Sequence, residues 1–170
     1  MIQNLNNNIM KINKAFMNFA LLISMIFVFG PNLAIAETCM NHGQVLPIDN
    51  EQVLQWKSST QNQFHSRGNV SGTVDEVFHD QTGHRHFSLK IGSGPEDHIE
   101  VIYNEQFGQM PEPSVGDNAE ACGDYITATS ASGGYPPSPD GALIHWVHRS
   151  PNPSAHDSGF VIINGVVYGN

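Results

Sequence analysis

Basic residues are scarce in this sequence, and their scarcity argues against one large class of function. The chain has seven Lys and Arg residues against 16 Asp and Glu residues, and two of the seven, Lys11 and Lys14, lie near the amino terminus. Without those two, five basic residues remain against 16 acidic ones, a net charge of −11. Proteins that bind a nucleic-acid backbone normally carry a basic patch, because counterion release supplies most of their affinity. Nucleic acid is therefore not expected as a partner.

Several catalytic motifs are also absent. The sequence has no G-x-S-x-G nucleophile turn, no phosphate-binding loop, no G-x-G-x-x-G dinucleotide motif and no H-E-x-x-H metal motif. These absences leave a serine nucleophile, a nucleotide phosphate site and a compact zinc motif without support.

The chain has one long apolar run, and it is too short for a membrane span. Residues 15–29 are apolar apart from two polar positions, follow two lysines, and precede an A-x-A pattern at Ala34 and Ala36. A spanning helix needs about 20 apolar residues. The pattern predicts a cleavable signal peptide over residues 1–36, with an uncleaved membrane anchor as the alternative. The single mature domain, residues 37–170, is then periplasmic or secreted and has no transmembrane segment.

Cysteine is represented only by Cys39 and Cys122. Two cysteines in an exported chain most often pair, and the long loop they would close predicts a stabilisation of about 4 to 5 kcal/mol. Two free thiols or a metal pair are the alternatives, but the C-x-x-C spacing that would favour a metal is missing. The composition therefore predicts a disulfide.

Hydrophobic spacing predicts one helix near the start of the mature chain. Asp49 or Asn50 can cap a helix that runs to about Phe64. Its apolar stripe, at three- and four-residue spacing, is expected to pack on a sheet. The stripe consists of Val53, Trp56, Thr60 and Phe64.

The rest of the chain alternates with the two-residue period of strands. The spacing predicts a mainly β fold, a small five-stranded barrel with one N-terminal helix and a C-terminal hairpin, whose core covers about residues 70–168. Gly72-Thr73-Val74 and Val115-Gly116-Asp117 resemble the strand openings of the oligonucleotide/oligosaccharide-binding (OB) type of barrel. A β-sandwich is the alternative, since strand count does not separate the two. The predicted strands are 70–79, 84–91, 98–104, 115–129 and 142–148, and the hairpin is 160–168 around Asn164-Gly165.

All nine histidines lie in the mature chain, and several fall in short groups. His84 and His86 share one face of a strand, whereas His145 and His148 face opposite sides unless the strand bends or ends between them. Imidazoles from two strands with a carboxylate suit zinc or a similar divalent ion. Solvent-facing residues or a hydrogen-bond network are the alternative. The candidate metal ligands are His84, His86, His148, His156 and Asp157.

Three further polar or aromatic residues are candidates for a site. Alternation places Arg85 on the apolar face of its strand, where it needs a carboxylate or carbonyl partner or else contacts a ligand at the barrel mouth. Trp146 could stack on a sugar or base, although a tryptophan in a central strand is more often part of the core. Asn104, at a strand end, is either a site residue or, as we favour, a turn former.

Four segments, 83–87, 115–117, 141–148 and 159–168, resemble a bacterial family of exported domains of unknown function. That family has an Arg-His pair in its second strand, a Gly-Asp before a later strand and a His-Trp-Thr-His run. The resemblance covers most of the mature chain. It implies a shared polar set of Arg85, His86, Asn104, His145, His148 and His156.

This chain departs from the family pattern at Val147, where a threonine is expected, and at Arg149-Ser150, where a His-Asp pair is expected. We expect an exported ligand-binding module, with an unidentified small molecule or envelope component as partner. A metal-dependent, phosphodiesterase-like hydrolase is the alternative, in which imidazoles hold an ion that activates water. The candidate ligand-binding residues are Arg85, His86, Asn104, His145, Trp146, His148 and His156.

Overall fold

The computed structural model describes residues 37–79, 82–154 and 156–169. The predicted signal peptide, residues 1–36, lies outside the described residues, so the division of the chain into a signal and a mature domain stays a prediction. No helix in the described ranges is long and apolar enough to cross a bilayer.

The described residues are mainly β, with one α-helix. In chain order the elements are β1 (Met40–Asn41), β2 (Gln44–Val45), α1 (Asn50–Ser59), β3 (His65–Phe78), β4 (His84–Lys90), β5 (His98–Asn104), a 3₁₀ turn (Glu105–Phe107), β6 (Asn118–Thr127), β7 (Ala142–His145), β8 (Phe160–Ile163) and β9 (Val166–Tyr168).

Five of these strands close into a barrel. Neighbours follow the order β3, β4, β5, β7, β6, and β6 pairs back onto β3 to complete the ring. All the pairs are antiparallel except β5 with β7, which is parallel. This ring is the five-stranded Greek-key barrel of the OB type, so the predicted fold class is confirmed and the β-sandwich alternative is wrong. The hairpin β8–β9 extends the sheet from β6, outside the ring.

The barrel can close because β3 pairs with both β4 and β6. Its first half pairs with β6 and its second half with β4, and the two registers meet around Gly72 and Thr73. A Cβ built on Gly72 would lie 2.0 Å from the carbonyl oxygen of Lys90. Only glycine therefore allows this close approach where the strand passes from one partner to the other.

The helix is shorter than its apolar spacing predicts. Asp49 caps it through a 2.9 Å hydrogen bond, as expected, but it ends at Ser59 rather than near Phe64. Phe64 lies just before β3, and its ring contacts Trp56 at 6.0 Å and Tyr125 at 6.2 Å. The helical spacing of Phe64 therefore reflects a contact made across a turn, and α1 packs on β3 and β6.

Three strand boundaries also differ from the prediction. β3 begins at His65 because the polar segment 65–69 pairs its backbone with β6, which apolar periodicity does not reveal. β6 begins at Asn118, since Asp117 forms a turn with Ser114. β7 ends at His145 because Trp146 has a φ of 54°, outside the strand region.

The barrel interior is apolar and buried. The strands alternate, so that one face of each contributes to a single core beneath α1. The largest fully buried side chains of that core include Tyr103, Tyr125, Phe87, Leu89, Ile99 and Ile144.

The predicted disulfide is confirmed. Cys39 and Cys122 are bonded, with their Cα atoms 5.6 Å apart. Cys122 lies on the outer face of β6, so the bond fastens the segment before β1 to the outside of the barrel. A small apolar cluster with Phe160 surrounds it.

Candidate functional site

One outer face of the barrel carries a group of polar side chains. Phe87 and Leu89 of β4 point into the core, so alternation directs His84, His86 and Ser88 outward. In the neighbouring strands the corresponding outward positions include Glu100 of β5 and His145 of β7. We call these residues the polar face: His84, His86, Ser88, Glu100 and His145.

Two carboxylates are hydrogen-bonded to side chains of the polar face. Glu100 is only 4% exposed and its Oε1 lies 2.7 Å from Nδ1 of His86. Asp140, from the loop between β6 and β7, accepts a 2.8 Å hydrogen bond from the hydroxyl of Ser88. Burial raises the pKa of the Asp140 carboxyl, and the bond from Ser88 opposes that rise. Sequence reasoning missed both carboxylates, although the outward position of Glu100 in an apolar strand was an available signal.

Trp146 is presented to solvent by a strained backbone. Its φ of 54° is unusual for a bulky residue, and it is 38% exposed. Ring centroids lie 5.3 Å away for His145, 5.3 Å for His148 and 4.6 Å for His156. The expectation that this tryptophan is a core residue is therefore wrong, because β7 ends one residue earlier.

The ring contacts extend from Trp146 to the polar face. The ring of His84 lies 6.4 Å from that of His145 and 6.0 Å from that of His86, and the rings of His148 and His156 are 6.4 Å apart. Because the backbone turns at position 146, His145 and His148 both contact the same indole ring. We call the connected residues the aromatic row: His84, His86, His145, Trp146, His148 and His156.

The aromatic row contains neutral imidazoles. Burial lowers the pKa of His145, the nearby rings of His84 and His148 add to that shift and Asp124 opposes it, so that the pKa falls to about 4. Burial also lowers the pKa of His148, whose Nδ1 lies 2.9 Å from the carbonyl oxygen of Arg149. A neutral imidazole offers one hydrogen-bond donor and one acceptor, so the partly exposed ring of His145 suits polar recognition at neutral pH, whereas His148 is only 1% exposed.

The predicted metal set is not assembled. Among residues 37–79, 82–154 and 156–169, no three His, Cys, Asp or Glu side chains are arranged to hold a metal ion. His156 instead places Nδ1 3.1 Å from the carbonyl oxygen of Asp157 and Nε2 3.4 Å from the hydroxyl of Ser150. The Asp157 carboxylate accepts a 2.5 Å bond from the backbone of His42. Backbone groups and one hydroxyl therefore contact His156 and Asp157, two of the candidate metal ligands.

Two other predicted site residues lie outside the aromatic row. Arg85 makes a 3.0 Å ion pair with Glu105 and a 4.0 Å contact with Glu112, so the carboxylate-partner interpretation describes its position. Asn104 accepts a 2.9 Å hydrogen bond from the backbone of Gln106 and caps the 3₁₀ turn, which fits the turn-former interpretation.

A buried arginine, Arg67, which the sequence analysis did not identify as a candidate, connects several segments of the chain. Arg67 is 7% exposed and pairs with Asp124 at 2.7 Å. It also donates to the carbonyl oxygens of Met40 at 3.2 Å and Ser158 at 2.5 Å. Arg67 therefore links the N-terminal hairpin, β6 and the segment before β8. Sequence reasoning missed it because Arg67 lies between the predicted helix, which was expected to end near Phe64, and the first predicted strand, 70–79.

Comparison of the chain with protein-family models and with curated proteins finds no match.

Proposed function

We propose that this barrel is an exported ligand-binding module, and that the aromatic row with the adjoining polar face is its recognition surface. Its partner is a small molecule or an envelope component. The observation that carries the proposal is Trp146, an exposed aromatic side chain held in a left-handed backbone conformation. Strained, exposed residues of this kind persist where the surrounding structure fixes them, and they concentrate at functional sites.

The surroundings of Trp146 supply both parts of a recognition surface. Its indole ring offers an apolar plane on which a sugar or heterocycle can stack. The partly exposed imidazole of His145 offers directional hydrogen-bonding groups beside that plane. His148 and Glu100, only 1% and 4% exposed, lie behind the surface, where His148 contacts the indole ring and Glu100 pairs with His86. Sites for small molecules usually combine an apolar surface with a small number of polar groups.

The position on the barrel also supports binding. OB-type barrels recognise oligosaccharides and oligonucleotides on the face of their second and third strands and on the adjoining loops. β4 and β5 hold those places here, and the loop between β6 and β7 contacts Ser88 through Asp140. The net charge of −11 that residues 37–170 carry favours a glycan or other small molecule over a nucleic acid.

Tryptophan fluorescence tests the proposal directly. The chain has two tryptophans, so Trp56→Phe leaves Trp146 as the sole reporter. We expect soluble peptidoglycan fragments or neutral oligosaccharides to shift its emission saturably. In the otherwise wild-type chain, we expect Trp146→Ala to weaken the affinity for the same ligands at least tenfold, as measured by calorimetry. Equal affinity in Trp146→Ala, or no shift with any ligand of the panel, would contradict the proposal.

Export is supported by the disulfide, because such bonds persist in oxidising compartments. Expression of the full chain in a bacterial host, followed by fractionation, tests this part. We expect the protein in the periplasm or medium with Glu37 as its first residue, as determined by N-terminal sequencing. Recovery of the uncleaved chain from the cytoplasm or membrane would overturn it.

A further inference from the structure

An open groove of about 580 Å³ adjoins the aromatic row. Phe107 connects the two, since it lines the groove and stacks on His148 of the row with ring centroids 3.5 Å apart. Pro151 and Pro153 add apolar walls, and Arg149, Ser150 and Ser158 add polar groups. The volume lies within the range typical of sites for small molecules.

Arg149 is the distinctive residue of this groove. The chain has three arginines, and the other two are engaged in ion pairs, Arg67 with Asp124 and Arg85 with Glu105. No carboxylate among the described residues forms an ion pair with the guanidinium of Arg149, which is exposed. In a domain with 16 acidic residues, an arginine left unpaired in a groove is available for an anionic ligand.

The backbone around Arg149 is held in place. Its N–H donates to the carbonyl oxygen of Gly169, and the N–H of Ser150 donates to the hydroxyl of Ser158 at 3.1 Å. A hydroxyl that accepts a hydrogen bond keeps its own proton to donate, and Ser158 lines the groove. The carbonyl of Ser158 in turn accepts from buried Arg67. The groove therefore presents a guanidinium and a hydroxyl donor on a supported frame.

We infer that this groove binds the carboxylate end of a small molecule, with Arg149 holding the carboxylate while the apolar part of the molecule lies against Phe107 toward Trp146. A guanidinium matches a planar carboxylate with two parallel N–H donors, which a neutral group does not reproduce. The inference rests on the proposed function and names its ligand class, a ring-bearing carboxylate such as an acidic sugar or an aromatic acid.

Two isosteric probes separate charge recognition from stacking. Phenylacetate and phenylacetamide share a ring and differ in the carboxylate, and their affinities for the purified protein can be measured by NMR titration. We expect the wild type to prefer phenylacetate at least tenfold, in line with a charge-assisted pair. Arg149→Gln abolishes this preference and Arg149→Lys keeps part of it. Lys90→Gln, the same charge change on β4, retains it fully.

The outcomes distinguish this inference from the function on which it rests. Equal affinity of the wild type for the two probes, or an unchanged preference in Arg149→Gln, overturns the carboxylate inference. If Trp146→Ala weakens both probes alike while Arg149→Gln has no effect, only the inference fails. If Arg149→Gln removes the preference while Trp146→Ala changes nothing, the groove stands and the proposed role of Trp146 fails. Cooperative thermal unfolding of each variant verifies that it is folded.

Discussion

The imidazole of His148 is stacked on the ring of Phe107, with the centroids 3.5 Å apart and the planes within 6° of parallel. Phe107 ends the 3₁₀ turn after β5, and His148 follows the end of β7. The stack therefore joins the exits of two adjacent parallel strands and anchors one end of the aromatic row. The row is presented by the barrel frame, which supports a preorganised surface.

Trp146 provides a direct test of backbone strain. In a left-handed conformation glycine avoids a penalty of about 1 to 2 kcal/mol that alanine pays. We expect Trp146→Gly to be more stable than Trp146→Ala by about 1 kcal/mol, the reverse of the usual order. Urea unfolding of the two variants measures the difference. An alanine variant as stable as the glycine variant would show that position 146 is unstrained.

The disulfide is expected to stabilise the domain strongly. The bond spans 83 positions, from Cys39 to Cys122. The chain-entropy relation then gives about 4 to 5 kcal/mol. Replacing both cysteines by alanine should lower the free energy of unfolding by this order, and dithiothreitol should destabilise the wild type but leave the double variant unchanged. A loss under 1 kcal/mol would contradict the expectation.

The Arg67–Asp124 pair is expected to be strongly coupled. Arg67 is buried and makes its 2.7 Å bond to a carboxylate that is about one-third exposed. Removing one member leaves the other without its partner, whereas removing both avoids that cost. In a double-mutant cycle of Arg67→Met and Asp124→Leu, we expect the double variant to lose about 1 to 3 kcal/mol less than the sum of the single variants. Additive losses would show that the pair is not coupled.

His145 predicts a loss of stability in mild acid. Its pKa is lowered from 6.5 to about 4 in the folded state, mainly by burial, so the unfolded chain binds a proton more readily. The stability from this residue is complete above pH 6.5 and is lost as the pH falls toward 4. We expect the loss in the free energy of unfolding to be about 2 kcal/mol, because the partial exposure of His145 reduces the value that its full pKa shift would give.

His145→Gln should remove this part of the pH dependence, as measured by urea unfolding at pH 7.5 and at pH values down to 4. The exposed His65→Gln is the matched control and should leave the dependence as in the wild type. If the free energy of unfolding of His145→Gln falls with pH as steeply as that of the wild type, other groups govern the loss of stability in acid.

Local patterns in the sequence anticipated elements whose stability is local. The Asn164-Gly165 turn joins β8 to β9 with φ of 49° and 83°, as the dipeptide predicts, and Asp49 caps α1. The disulfide was also predictable, because only two cysteines were present to pair. The ends of the helix and strands were less predictable, since the polar start of β3 and the contact of Phe64 depend on partners distant in the chain.

The candidate site also combines features that were predictable from the sequence with features that depend on the tertiary structure. The sequence by itself determined which side chains were available: a histidine-rich, acidic domain with two cysteines, alternating strands and few cations. Only the tertiary structure decided their use. Ring closure brought His84 of β4 near His145 of β7, and the turn at Trp146 brought His145 and His148 to one indole. These contacts join residues far apart in sequence or depend on one backbone angle, and hydrophobic periodicity carries no information on either.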